Sequence, residues 1–563
     1  MTAKIKENKS GFCPYYLSVF MMTTLFIMSC TSNSNTNASD QLERFVQDFT
    51  SQSNNPGAIT NDMSSSYFAQ ELKKTQNQLQ QLRKIDNTRL DGDDLIDWKF
   101  AQSILVGREL EQEKMMPWKK NPRLYMAFTR ISNVIERPGE LKDKIKEIEE
   151  RLKYVPSQLN NAIAQVETYV PRFQELSVFM AENGKILFDE ELPEFIKSSG
   201  DQAAHLSELT VKAKKALMGF ISFLNDDLPK KQQGEFAIGE KTYNEMLKGQ
   251  FLMGYNADSL WNFGWSQFNA TVDELTELAK KIDPTKTWQE LAIEVKNDYP
   301  DPDKMIEAHQ EWVDKAGVHI KENDLIPIPW PERVNVVPRA EYLRKTSYYG
   351  NFSRARSKDE EGIFTSEWMI NPFENQWDDQ IKQEYLVEHD WGVIIVTAPH
   401  ETYGGHHIQG LYQMHNPRPL RKNNGISIFS EGWGLYNEQL MQETGFFPND
   451  RIHLRQLQLR LWRNARVIYD TGMHTGRLTY EDAVNLMTEK VGFLRWAAQL
   501  EIDSSSARPG YFIGYFMGMT EILQMRADYK SKMGSDFTLK DFHEKLLKIG
   551  NMPPSLMRAA LMN

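Results

Sequence analysis

Apolar side chains recur every three or four residues from about residue 40 to the end of the chain, and that period commits most of it to amphipathic helices. The clearest run is Leu141, Ile145, Ile148, Leu152, Val155, Leu159, Ile163, Val166 and Val170, with Lys, Glu and Arg filling the first half of the opposite face. Pro156 should kink this helix or divide it in two. Similar spacing predicts helices over 202–224, 257–281, 432–444, 451–471, 479–489, 514–533 and 538–548. Residues 326–351, rich in proline and carrying Val334-Asn-Val-Val and the pair Tyr348-Tyr349, read instead as extended chain or a small sheet. Residues 391–397 fit either a strand or the start of a helix. No fixed-period repeat is present, which disfavours a solenoid. The expected fold is therefore mostly α, a large helical cleft with a small β element near the site. Residues 46–330 would form one wall and 331–563 would carry the chemistry.

With 563 residues, 40% of them hydrophobic and 25% charged, the chain is long enough for a large core or several subdomains. A net charge of −11 without clustered Lys and Arg argues against nucleic acid as a partner. Lys4, Lys6 and Lys9 precede an apolar stretch over 17–29 that is short for a membrane span but suits a signal peptide. It ends Ile27-Met28-Ser29-Cys30, resembling a bacterial lipobox, so Cys30 is the expected lipidated N-terminus. Residues 1–30 are then the signal peptide and 31–45 a flexible tether. An uncleaved helical anchor is the alternative, and either places the body of the protein outside the cytoplasm, in the bacterial cell envelope facing the periplasm or exterior. The only cysteines are Cys13 and Cys30, so any zinc in the mature domain must be held by His, Asp or Glu.

Those residue types gather in His400-Glu401-Thr-Tyr-Gly404-Gly405-His406-His407 and, later, Phe429-Ser-Glu431-Gly-Trp433. A hydrolytic zinc site needs neutral imidazole and carboxylate ligands, an open position for water, and a carboxylate to take the water's proton. The common arrangement places two His four residues apart on one helical face. Here, on an unbroken helix, His406 lies roughly 240° round from His400, and His407 is about 10 Å farther along. Gly404-Gly405 can leave helical dihedrals at little cost, and a bulge there would bring His406 beside His400. Glu401 would then be the general base and Glu431 the third ligand, with Ser430 a candidate N-cap for its helix. Four of the eleven histidines fall between 400 and 415, a concentration that favours metal binding over scattered surface positions. His407 and His415 read as supporting or exposed residues. Glu438 is placed either to orient a ligand or to face solvent.

These motifs, together with Tyr436, Arg463 to Asp470-Thr-Gly472-x-His474, Pro509-Gly510 to Tyr515-x-x-Gly518 and the closing Phe542-His543 and Gly550 to Pro553, resemble the bacterial family of domain of unknown function 885. That family in turn looks like a relative of the helical gluzincin peptidases, such as angiotensin-converting enzyme, thimet oligopeptidase and carboxypeptidase Taq. The resemblance implies a helical cleft, zinc on His400, His406 and Glu431, Glu401 as base, and His474 and Tyr515 as donors to the oxyanion of a tetrahedral intermediate. Gly404 stands where the family usually has Pro, which should loosen the bulge. Ser504-Ser505-Ser506 replaces a common Arg-Tyr pair and Tyr511 a usual Gln, both bearing on substrate recognition.

The leading expectation is an envelope-anchored zinc metallopeptidase acting on peptides. Arg508 and Tyr511 are the candidate substrate-binding residues, the Arg508 fork being able to match a carboxylate, though for Arg508 a surface salt bridge is the favoured reading. A non-enzymatic surface lipoprotein binding peptide or glycan, with Trp433, Trp462, Trp496 and Tyr348-Tyr349 lining its groove, is the competing class. A zinc amidase or esterase would need the same site. The absence of a Gly-x-Ser-x-Gly elbow disfavours a serine hydrolase.

Overall fold

The computed structural model describes residues 37–51, 61–136, 140–339 and 350–563. The signal segment with Cys13 and Cys30, and the pair Tyr348-Tyr349, lie outside them. The fold is mostly α, as the period predicts. Helix Leu141–Gln165 contains Pro156 without being divided by it. Leu152, Val155 and Leu159 are buried on one face, at about 1.5–3 kcal/mol each, against roughly 3 kcal/mol for an interior proline. With helix Ala203–Ser222 it builds a separate apolar cluster that includes Leu206, Leu217 and Phe220.

Capping side chains set where the central helices begin. Asn256 and Ser259 satisfy each other's backbone N–H groups at 2.8 and 2.9 Å and open helix Ala257–Ile282. Asn449 accepts from Arg451 and Ile452 at the start of helix Asp450–His474. This second helix is buried along nearly its whole length, so its charged residues must find partners inside the protein. Arg455 pairs with Asp390 at 2.8 Å and Arg466 with Glu501 at 2.6 Å. Helices Ser427–Glu443 and Ile513–Met533 cross at two glycines. A Cβ at Gly432 would lie 2.4 Å from the Gly518 Cα, and one at Gly518 would lie 1.8 Å from the Ile428 carbonyl oxygen, so the backbones touch only because neither has a side chain.

The region read as extended supplies one full strand of a three-stranded sheet whose central strand lies beyond residue 351. Strand β1 (Glu332–Pro338) runs parallel to β3 (Phe364–Ile370), and β2 (Asn351–Ser353) pairs antiparallel with the other edge of β3. Residues 391–397, ambiguous in sequence, are helical: Asp390 accepts from the Val393 N–H at 3.0 Å and caps helix Trp391–Glu401.

Two expected boundaries shift. Residues 38–45, assigned to the tether, belong to helix Ala38–Ser51, whose Leu42, Phe45, Val46 and Phe49 are buried. Residue 330 does not separate two cores, because Ala38–Asn563 form one compact unit and its largest apolar cluster draws on both sides of that position. Among the described residues, no helix is long and apolar enough to cross a membrane.

Candidate metal centre

Helix Trp391–Glu401 carries His400 and Glu401 in its last turn, and the chain then breaks. Thr402 has left helical dihedrals, Gly404 takes φ +96°, and Gly405 leads into a new helix, His406–Met414. The expected bulge is thus a full interruption. Gly405 is indispensable to it, because a Cβ there would stand 1.7 Å from the His400 carbonyl oxygen. Gly404 does not loosen the turn. Its carbonyl accepts from the Trp433 indole N–H at 2.6 Å, and a φ of +96° is closed to proline. The break turns the His406 ring towards His400, with centroids 5.0 Å apart and planes at 87°.

Glu431 approaches from helix Ser427–Glu443. Ser430 is not its cap; the chain enters through Ile426, and the Ser430 hydroxyl donates back to the Ile426 carbonyl at 3.2 Å. Glu431 Oε2 is 3.4 Å from His406 Nε2 and 3.9 Å from His400 Nε2. One ligand atom from each residue lies within 4.8 Å of the others, near the roughly 3.4 Å separation around a tetrahedral ion with bonds of about 2.1 Å.

Partners behind the trio fix its orientation. The fully buried Glu438 accepts from His400 Nδ1–H at 2.8 Å, which leaves the Nε2 lone pair facing the site, and Arg463 stands 3.6 Å from the same carboxylate oxygen. Glu438 is therefore an orienting residue and does not face solvent. Gly434, one turn before it, packs flat on the imidazole: a Cβ there would lie 2.6 Å from His400 Cε1 and Nε2. Tyr511 donates its hydroxyl to Glu431 Oε1 at 2.8 Å, leaving Oε2 for the histidines. Burial works to raise the Glu431 pKa, but the bonded His406, the His400 charge and Tyr511 hold it at about 2. Burial works to lower that of His406, and Glu431 with Glu401 lifts it to about 9. The pocket between these atoms thus favours positive charge.

The trio opens onto a cavity of about 810 Å³. Glu401 lines it and accepts no hydrogen bond from any described residue. Tyr515 lines it too, its ring nearly parallel to that of His400 at 6.4 Å and covered by the Arg466 guanidinium at 4.0 Å. Burial holds the Tyr515 phenol well above its usual pKa, so it stays a donor. Arg508 is exposed at the rim, stacked over Tyr511 at 4.6 Å, and forms no salt bridge with any described residue. Tyr511, expected to touch substrate, is first a clamp on the third ligand.

His474 is not brought to this site. It lies about 12 Å beyond Arg466 along the same helix. There it stacks on Tyr243 and is held by the Ser505 carbonyl, 3.1 Å from Nε2. Burial lowers its pKa to about 4. With Asp470 it shapes the loop that presents Arg508 and Tyr511. Asp470 accepts from the Tyr243 hydroxyl at 2.7 Å and from Gly510 N–H at 2.9 Å, and burial nonetheless raises its pKa to about 7. His407 ties the helix restart to the sheet, between Glu332 at 2.9 Å and Ser366 at 2.8 Å. His415 stacks on Trp330 at 4.4 Å. Of the tryptophans proposed for a binding groove, Trp462 lines the cavity, whereas Trp433 is core and Trp496 is not among the lining residues.

Sequence reasoning missed Gly434, whose signal was a second glycine inside a helical run where propensity disfavours it. It also missed Arg463 and Arg466, which nothing in their spacing distinguishes from a solvated helix face.

No curated protein matches the chain. Two solved structures share the fold. One is from Shewanella oneidensis, described as a lipoprotein of unknown function: 20% identity, covering 93% of this chain and 97% of that one, TM-score 0.76. The other, from Colwellia psychrerythraea and also described as a lipoprotein, has 17% identity, coverage of 93% and 99%, and TM-score 0.75. The family described as bacterial protein of unknown function, DUF885, matches residues 54–561. The chain therefore belongs to the DUF885 family.

Proposed function

We propose that this chain is a zinc-dependent metallopeptidase of the bacterial cell envelope. The observation that carries the reading is the convergence of His400 Nε2, His406 Nε2 and Glu431 Oε2. The reverse sides of His400 and Glu431 are already committed to Glu438 and Tyr511. The donor set suits zinc, being two imidazoles and one carboxylate with no thiolate, His406 giving up its proton when a metal binds. Zinc held there would polarise a substrate carbonyl and bring the pKa of water towards 7. Glu401, next to His400 and without a donor among the described residues, accepts the proton of the attacking water and passes it to the leaving amine. Tyr515 remains protonated against the His400 ring and donates to the oxyanion, a role typically worth about 3–4 kcal/mol. His474 takes no part.

Envelope anchoring is supported by the lipobox-like Ile27-Met28-Ser29-Cys30 and by the lipoprotein descriptions of the two similar structures. The test is metal content and peptide-library cleavage by the full-length protein in detergent. About one zinc per chain is expected, lost in His400→Ala and Glu431→Ala. Glu401→Gln should keep the zinc and lose cleavage by roughly 10²–10⁴-fold. Zinc-free wild type, or undiminished cleavage by Glu401→Gln, would overturn the reading.

A further inference from the structure

A second chamber, of about 460 Å³, adjoins the metal cavity. Gly425, Ile426, Arg508 and Tyr511 line both, so a single wall separates them. Both volumes fall in the range of about 300–1,000 Å³ usual for ligand sites. Their linings differ in kind. The metal cavity is edged by charged and amide side chains such as Glu401, Gln409, Arg463 and Arg508. The second chamber has an apolar wall of Phe100, Ile104, Met115, Phe173, Ile238 and Met246, with the charged Arg108, Glu111 and Lys120 also on its lining. All six apolar residues come from the first half of the chain, where no motif stands out.

We propose that the second chamber is a specificity subsite of the metal centre, taking one large apolar side chain of the same extended peptide whose scissile bond lies at the trio. This rests on the peptidase reading. Tyr511 is the shared wall: its hydroxyl is 2.8 Å from Glu431 Oε1, and its ring is covered by Arg508 at 4.6 Å. The preferred substrate is therefore a peptide with Phe, Leu or Met a short distance along the chain from the cleaved bond, passing the Arg508 rim.

The test scans a single phenylalanine through an amidated serine–alanine decapeptide. Binding is measured by calorimetry to zinc-loaded full-length Glu401→Gln, and cleavage with the wild type. At one position phenylalanine should tighten binding by about tenfold to a hundredfold over serine. Adding Ile104→Trp or Ile238→Trp, which fill the chamber away from the trio, should erase that gain. If one variant does not fold, the other carries the test. A gain that survives in a folded variant, or no gain at any position, overturns the subsite. Cleavage without a phenylalanine preference sinks the subsite and leaves the peptidase reading standing. A Trp-sensitive gain in binding without wild-type cleavage does the reverse.

Discussion

Gly434→Ala is the sharpest perturbation of the trio, because it adds one methyl group against His400 and replaces no ligand. That methyl would sit 2.6 Å from His400 Cε1 and Nε2, whereas carbon contacts settle at about 3.5–4.0 Å. The ring must retreat by about 1 Å, and it cannot do so while Nδ1 keeps its 2.8 Å bond to Glu438. In the interior of helix Ser427–Glu443, alanine should gain about 1 kcal/mol in propensity over glycine, opposed by about 1–3 kcal/mol of overpacking. Net stability of the metal-free protein should fall by at most about 2 kcal/mol. Zinc affinity should fall by about tenfold to a hundredfold, about 1.4–2.8 kcal/mol. Competition against a chromophoric chelator reads the affinity, and urea denaturation with and without zinc reads the stability. Gly219→Ala is the control, since its Cβ meets nothing within 4 Å, and it should stabilise by up to about 1 kcal/mol with zinc affinity unchanged. Wild-type zinc affinity in a folded Gly434→Ala would refute the assignment of His400 Nε2 as a ligand.

Two further outcomes follow from the site and the core. Gly405→Ala places a Cβ 1.7 Å from the backbone oxygen of His400, so the helix break must rearrange; zinc content should drop to background, and retention of one zinc per chain would show that the break is not what joins His400 to His406. His474 and His543 are each held near pKa about 4 by burial, against 6.5 when exposed. Because the folded values are depressed, their contribution is full above about pH 6.5 and is lost as pH falls towards 4, about 3 kcal/mol for each. Urea midpoints at pH 7.5, 5.5 and 4.5 should decline, and His543→Gln should flatten the decline; an unchanged slope would exclude His543 as a contributor.

Much of the site could be read before the fold. His400, His406 and Glu431 converge as the residue types and the glycine pair implied, and the local physics explains why: Gly404 and Gly405 alone permit the interruption that reorients His406. The expectation failed at His474. A motif near the site in sequence says nothing about which face of a long buried helix a residue occupies, and eight residues beyond Arg466 carry His474 past the cavity. The expectation for Arg508 and Tyr511 is substrate binding, whereas the Tyr511 clamp on Glu431 depends on a loop fixed by Asp470.

The sequence by itself determined the helical class, the extended stretch near residue 332, the glycine pair after Glu401 and the donor types of His400, His406 and Glu431. Each of these is a property of local periodicity, dihedral freedom or donor type. Only the tertiary structure decided that Glu438 backs His400, that Gly434 presses on its ring and that a second apolar chamber from the first half of the chain shares a wall with the metal cavity. Those are contacts between helices far apart in sequence, set by close packing at glycines such as Gly432 and Gly518, and no single segment carries their record.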